Sequence, residues 1–373
     1  MVQKTERLLS LDVFRGLTIA LMILVNNPGS WGHVYPPLLH ADWHGVTPTD
    51  LVFPFFLFII GVSLYMSYSK YDHKLSKQSA IKIIKRSALI FLIGLALHFY
   101  PFYNKSFESI RIMGVLQRIG LAYLIAAFLC LSISIKNLWR VALLILIFYW
   151  TSSIIHGGEN PFSIEDNWVR AIDLKVLGEN HMWKGKGISF DPEGIMSSIP
   201  AAISIVFGFY IGALIQKYKE QHLLVKNLLL VGVIAVFVGL CWSIYFPLNK
   251  SLWTSSYVIY TGGLACMVLG ILVEILDVRK RQSWAKPFQV FGLNPLIIFV
   301  FSGVFVKTML YIVRWTNEAG NTINGNSWLW ANIFSQITPN HLKFSSLLMA
   351  LFHLAICYLL GYVLYRKKIV IKV

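Results

Sequence analysis

Ten stretches of predominantly apolar residues recur along the chain, at 8–27, 49–69, 80–102, 112–134, 138–155, 194–216, 224–244, 254–277, 288–311 and 344–365. A helix rising 1.5 Å per residue needs roughly 20 such residues to cross about 30 Å of hydrocarbon. The pattern therefore predicts an all-α polytopic membrane protein, a bundle of about 10 transmembrane helices. The connections and tails, taken with the flanking turns of their spans, fall into two alternating sets: the N-terminus, 70–86, 135–140, 217–226, 278–287 and the tail after 365 hold 21 Lys and Arg and the other set 9, with Arg15, Arg118 and Lys307 deeper in spans. The positive-inside rule places the richer set in the cytoplasm. Both termini are thus expected to be cytoplasmic, and the loops at 28–48, 103–111, 156–193, 245–253 and 312–343 to face outward. No repeat and no Pro/Gly/Ser linker divides the chain, so residues 1–373 are expected to form a single transmembrane domain. The longest outer loop, 156–193, carries seven acids against four bases and is its candidate lid.

Composition supports this reading. Of 373 residues, 56% are hydrophobic and 13% charged, against about 45–50% and about 25% in soluble domains, which excludes an ordinary soluble enzyme. The formal charge of +16 would suit nucleic acid, but the basic residues lie in short loops, so the expected partner is the lipid bilayer and not nucleic acid. The apolar helix faces would also accommodate a homodimer interface. Cys130, Cys241, Cys266 and Cys357 lie in apolar runs without CxxC spacing, which indicates neither a disulfide framework nor a zinc site. Lys4 and Arg7 precede an apolar run as in a signal peptide, but Asp12 and Arg15 interrupt it and no small-x-small site follows; a retained first helix is expected.

Ionisable groups inside spans cost about 2.5–3.5 kcal/mol each on insertion scales, so each needs a reason. Asp12 and Arg15, three apart on one helix face, suit an interfacial ion pair. Arg118 lies six residues inside its span, beside Gln117, which is too deep to reach the interface and points to function. Lys307 can snorkel, His98 suits either an interface or a site, and His353 suits a neutral imidazole bonded to a neighbouring helix. The loop at 28–48 is richer, because His33, His40, His44, Asp42 and Asp50 fall within eighteen residues. Histidine is the side chain best suited to general base work near neutral pH, and an adjacent carboxylate fixes its tautomer. A metal site built from His33, His40, His44 and Asp42 is the rival, but no helix sets those residues on one face. Thr47-x-x-Asp50 with Pro48 between reads as a capping box, so Asp50 suits a helix cap, a catalytic partner or both. The string Gln117-Arg-Ile-Gly120-Leu-Ala122 matches one that soluble acetyltransferases use for pyrophosphate; that use needs free N–H groups at a helix start, and here the string is mid-span.

Six motifs in order carry a resemblance: Leu11-Asp12-Val-Phe14-Arg15-Gly16; His40-Ala-Asp-Trp43-His-Gly45 with Asp50-Leu-Val-Phe-Pro54; Gly114-Val-Leu-Gln117-Arg118-Ile-Gly120; Phe190-Asp191-Pro192-Glu193-Gly194; Pro247-Leu-Asn249-Lys250-x-Leu-Trp253-Thr254; and Gly292-Leu-Asn294-Pro. From span 1 to span 9 the chain resembles the heparan-α-glucosaminide N-acetyltransferase family. The resemblance implies an acetyltransferase that takes acetyl from cytosolic acetyl-CoA, with no metal, and delivers it to the amino group of a glucosamine-type sugar across the membrane. Without the lysosomal relative's extra N-terminal region, the chain looks like a bacterial inner-membrane member. The family's active-site histidine falls on His40, and its asparagine on Asn26, or on Asn27 if the gap is placed differently. Arg118, Gln117, Asn294, Trp253 and Thr254 are expected to line the outer end of the donor pocket, with Arg15 drawing the phosphates. Asp42, Trp43, His44 and His98 are expected to meet the acceptor. His40 would act either as general base or as acetyl carrier. The rival functions are transport of a sugar or peptidoglycan fragment, and O-acetylation of an envelope glycan.

Overall fold

The computed structural model describes residues 8–103, 106–218, 220–316, 318 and 320–371; the basic pair Lys4 and Arg7 lies outside them. The protein is an all-α polytopic membrane protein. Its helices are α1 (Leu9–Asn26), α2 (Pro48–Tyr68), α3 (Lys77–Phe99), α4 (Val115–Ser132), α5 (Ile135–His156), α6 (Trp168–Leu177), α7 (Ser198–Lys217), α8 (Gln221–Ser243), α9 (Ser255–Leu272), α10 (Lys286–Leu293), α11 (Pro295–Lys307), the short α12 (Gly325–Leu329) and α13 (Ser335–Ile337), and α14 (Leu342–Arg366). A small antiparallel ribbon, β1 (Arg314–Thr316) and β2 (Thr322–Asn324), sets Trp315 opposite Ile323.

Among the described residues, nine helices are long and apolar enough to cross a membrane. The tenth expected span is α3, whose first half carries Lys77, Lys82, Lys85 and Arg86 and so falls short on charge; its apolar half packs along α4. The ninth span differs as well, because residues 288–311 belong to two helices. Pro295 has no N–H to continue the ladder, and Asn294 leaves helical geometry at φ −129°, ψ 56°. The freed Asn294 amide pairs with the chain beyond α14, donating to the Ile369 carbonyl (2.9 Å) and accepting from the Ile371 N–H (2.8 Å).

The helices pack most closely where glycine lets backbones meet. At the α2–α7 crossing, a Cβ on Gly61 would run into the Ile205 carbonyl and one on Gly208 into the Phe58 carbonyl, the small-residue packing typical of helices in lipid. Other faces stay apolar and exposed, such as Leu144, Phe148 and Ile155 on α5 and Leu230, Ile234 and Phe237 on α8. Those faces suit hydrocarbon.

At one end of the bundle α1 has no cap of its own, and the buried Asp277 supplies one, accepting from the N–H groups of Leu9 (3.1 Å) and Ser10 (3.2 Å). One turn further, Arg15 pairs with Asp12 at 3.1 Å and donates to Ser63 at 2.8 Å. Lys307 is bonded to the Leu97 carbonyl at 2.5 Å, closing the last turn of α3. His353 differs from expectation, since its Nδ1 donates to the Met349 carbonyl of its own helix (3.0 Å) while its ring lies between Phe305 and Phe352.

Candidate active site

At the other end, the loop after α1 turns back to start α2, and Asp50 organises the turn. Its Oδ2 accepts from the N–H groups of Ala41 and Thr47, both at 3.0 Å, which is the capping box expected from Thr47 and Asp50. Its Oδ1 lies 2.6 Å from His40 Nδ1. A carboxylate can only accept, so this contact puts the imidazole proton on Nδ1 and leaves Nε2 as the basic atom. Asp50 is only 1% exposed, whereas the His40 side chain is 45% exposed. One residue thus serves as cap and as histidine partner. Four residues on, Pro54 has no N–H for the Asp50 carbonyl. The buried Tyr257 hydroxyl takes its place, donating to that carbonyl at 2.5 Å.

A second loop, between α8 and α9, closes on the first. The Gly45 N–H donates to the Leu248 carbonyl (2.8 Å) and Asn249 Nδ2 to the Trp43 carbonyl (2.8 Å), with His44 Nδ1 3.3 Å from the same amide. This brings Lys250 onto the dyad. Its Nζ lies 3.1 Å from His40 Nδ1, 3.2 Å from Nε2 and 3.7 Å from Asp50 Oδ1. Being about equally close to both ring nitrogens, it is not in line with the Nε2 lone pair. Burial pulls the Lys250 ammonium down and outweighs the support of Asp50 and Glu193, and burial likewise lowers His44.

Below the loop, Trp253 is fully buried in the left-handed region (φ +52°), a strained state for a bulky residue that its contacts over-determine. Its ring meets Phe53 and Tyr257 edge-on, each at 5.3 Å, and its Nε1 donates to Ser204 (3.1 Å). The Arg118 guanidinium lies over that ring at 5.0 Å and donates to Ser197 Oγ, while its buried Nε has no partner. Thr254 donates to the Pro247 carbonyl (2.9 Å) and so closes the loop base.

The loop at 156–193 lies over these two. Trp43 donates from Nε1 to the Phe162 carbonyl (2.7 Å) and meets Phe190 edge-on at 5.2 Å, and Lys186 donates to the Asp42 carbonyl. The loop ends in a charged knot. Arg111 holds Asp191 through Nε (2.9 Å) and Nη2 (2.6 Å) and reaches Glu193 at 2.5 Å. Asp191, Glu193 and their hydrogen bonds drive Arg111 upward against burial. Burial pushes the Glu193 carboxyl up, but Arg111, Arg118 and Lys250 outweigh it and hold it below its ordinary value. Asp173 accepts from the N–H groups of Ile195 and Met196, each at 3.2 Å. Burial pushes its carboxyl up to about 6, with Asp191 adding to the shift.

The expected residues therefore divide. His40, Asp50, Trp43, His44, Trp253, Thr254 and Arg118 converge, and Asp42 joins them through its backbone. Gln117 and His98 hold the entry to α4, Gln117 donating to the Ile112 carbonyl (2.9 Å) and His98 to the Arg111 carbonyl (2.7 Å). Asn26 is exposed at the end of α1 with no hydrogen bond to His40, while Asn27 donates to the Ile23 carbonyl (2.7 Å). Arg15 and Asn294 lie towards the opposite end, where Asn294 is committed to the C-terminal segment. His33 stacks on Trp330, ring centroids 6.2 Å apart. Among the described residues, no group of three His, Cys, Asp or Glu side chains could hold a metal. Sequence reasoning quoted Asn249, Lys250, Asp191 and Glu193 in motifs but gave them no role, and it passed over Arg111 and Ser197. The available signal was a polar Asn-Lys pair in a short loop between two apolar spans.

Comparison with known proteins agrees with these motifs. Residues 7–176 match the family described as heparan-alpha-glucosaminide N-acetyltransferase, catalytic. The chain is 28% identical to the human heparan-alpha-glucosaminide N-acetyltransferase, over 98% of this chain and 60% of that protein. It is 28% identical to the mouse protein of the same name, over 79% of this chain and 53% of that one. It therefore spans somewhat more than half the length of these relatives. The family match over residues 7–176 and the two relatives thus agree in what the chain is similar to, the heparan-α-glucosaminide N-acetyltransferases.

Proposed function

We propose that the chain is a transmembrane N-acetyltransferase that moves acetyl from acetyl-CoA on the cytoplasmic side to the amino group of a glucosamine-type sugar at the outer face. The observation that carries this reading is the His40–Asp50 dyad, a rim histidine whose Nδ1 is held at 2.6 Å by a buried carboxylate while the ring stays accessible. The excess of Lys and Arg in the loops at the other end supports placing the dyad outside. The names of the relatives support the acceptor class, an amino sugar.

In this mechanism His40 Nε2 removes a proton from the acceptor amine as its nitrogen attacks the thioester carbonyl. The C–N bond forms, the C–S bond breaks, and His40 returns the proton to the departing thiolate. Asp50 holds the tautomer and stabilises the imidazolium that forms. Arg118, buried under Trp253 with one N–H unpartnered, and Thr254 line the inner wall that the thioester end approaches. The loop at 156–193 excludes water from above through its contacts to Trp43 and Asp42.

The test is purified protein in liposomes, with labelled acetyl-CoA on the cytoplasmic side and glucosamine on the other, beside a His40→Ala variant. Acetylated sugar that disappears with the variant is the expected result. Glucosamine accumulating unmodified across the bilayer would overturn the reading in favour of transport.

A further inference from the structure

Asp50 Oδ1 lies 2.6 Å from His40 Nδ1; a carboxylate beside an imidazole attracts a second proton to the ring, and a histidine that rests as imidazolium is no base. The structure holds a counterweight. Lys250 Nζ lies within 3.2 Å of both ring nitrogens and 3.7 Å from Asp50 Oδ1, yet is not aimed along the Nε2 lone pair. Its position is fixed by the neighbouring Asn249, whose amide bonds the Trp43 carbonyl and whose Oδ1 accepts from the Leu252 N–H (2.8 Å). We propose that Lys250 is a positioning residue whose ammonium offsets the Asp50 charge and keeps His40 an uncharged base at rest.

The other groups around Lys250 are accounted for. Asp50 on α2 faces it at 3.7 Å, and His44 on the first loop is neutral-leaning through burial. Glu193 attracts it from the loop before α7, and Arg118 on α4 repels it. Glu193 and Asp191 are tied to Arg111, and Lys186 is spent on the Asp42 carbonyl. Asp50 is therefore the carboxylate whose charge reaches both His40 and Lys250 directly. The arrangement also speeds the second proton transfer. An imidazolium formed beside an ammonium is a strong acid, and the proton taken from the amine is driven on to the thiolate leaving the C–S bond. That purpose rests on the acetyl-transfer reading; the resting state of His40 does not.

The experiment reads His40 directly. Diethyl pyrocarbonate reacts with uncharged imidazole, so the rate of His40 carbethoxylation against pH, located by peptide mass spectrometry in the full solubilised chain, gives the midpoint of its charging. Two unit charges about 3.2 Å apart interact even at the dielectric of water by enough to move a titration by about one pH unit. Lys250→Met is expected to raise the midpoint by about that much or more, and Lys250→Arg to leave it in place; Lys250→Gln serves if the Met variant aggregates. A midpoint unmoved in Lys250→Met or Lys250→Gln would overturn the proposal. So would Lys250→Arg behaving as Lys250→Met does, because that would make the amine, not its charge, the essential feature. A wild type that transfers no acetyl but shows the shift would sink the acetyl-transfer reading and leave this one standing.

Discussion

Replacing Asp50 by Asn tests the dyad with little change of shape. The amide oxygen still accepts from the N–H groups of Ala41 and Thr47, so the turn into α2 is retained. What is lost is the charge 2.6 Å from His40 Nδ1 that, in the proposed acetyl transfer, stabilises the imidazolium at the transition state. That attraction is about 1.6 kcal/mol at the dielectric of water and about 6 kcal/mol at an effective value of 20. These bounds correspond to a loss of kcat between roughly 15-fold and 10⁴-fold. Because Lys250 already offsets part of the Asp50 charge, the expected loss is about 10²- to 10³-fold, with KM for the acetyl donor little changed. The assay is steady-state acetyl transfer in liposomes, beside a melting curve to confirm the fold. Activity within about three-fold of wild type, with His40→Ala inactive, would show that Asp50 is a helix cap and nothing more.

Asp173 and Asn294 give two further tests. Burial holds the Asp173 carboxyl at about 6, above its value in an unfolded chain, so its contribution to stability is full below about pH 4 and is lost as pH rises through about 6. Asp173→Asn stays uncharged and should melt higher than wild type at pH 8, by up to about 3 kcal/mol of stability, with the advantage gone by pH 4; a gain independent of pH would refute the argument. Asn294→Ala removes both hydrogen bonds to the C-terminal segment, and hydrogen exchange should show the Ile371 amide losing protection while peptides covering 36–50 are unchanged. Retained protection at Ile371 would mean that packing, not the Asn294 amide, holds that segment.

Apolar periodicity placed the helices within a few residues, because twenty consecutive apolar residues have few alternatives once the chain meets a membrane. It read through Asn294–Pro295 because hydropathy does not register a missing N–H, and it counted α3 because the apolar second half outweighs Lys82, Lys85 and Arg86. In the site, His40, Asp50 and Trp43 were legible because they are close together in sequence and of types that carry chemistry. Lys250, Glu193 and Arg111 were not, since each gains its meaning from a partner far along the chain: Lys250 from His40, 210 positions away, and Arg111 from Asp191, 80 away. Asn294 and Gln117 are a different case. Polar residues in spans were read as pocket lining, whereas both amides satisfy backbone groups freed at helix ends and breaks.

The separation between His40 and Lys250 also matters while the protein is being made. His40 and Asp50 are ten residues apart and can meet as soon as α2 has started, but Lys250 arrives 210 residues later. At about 5–20 residues per second of synthesis, the nascent chain carries the dyad without its counter-charge for roughly 10 to 40 s. The Gly45 and Asn249 hydrogen bonds that join the two loops can form only when α8 and α9 have entered the bundle. In the proposed reading, chemical competence is thus acquired in one later step, when the loop between α8 and α9 seats on the first, and a ribosome-bound or truncated chain ending before residue 245 holds a histidine that has not yet been tuned.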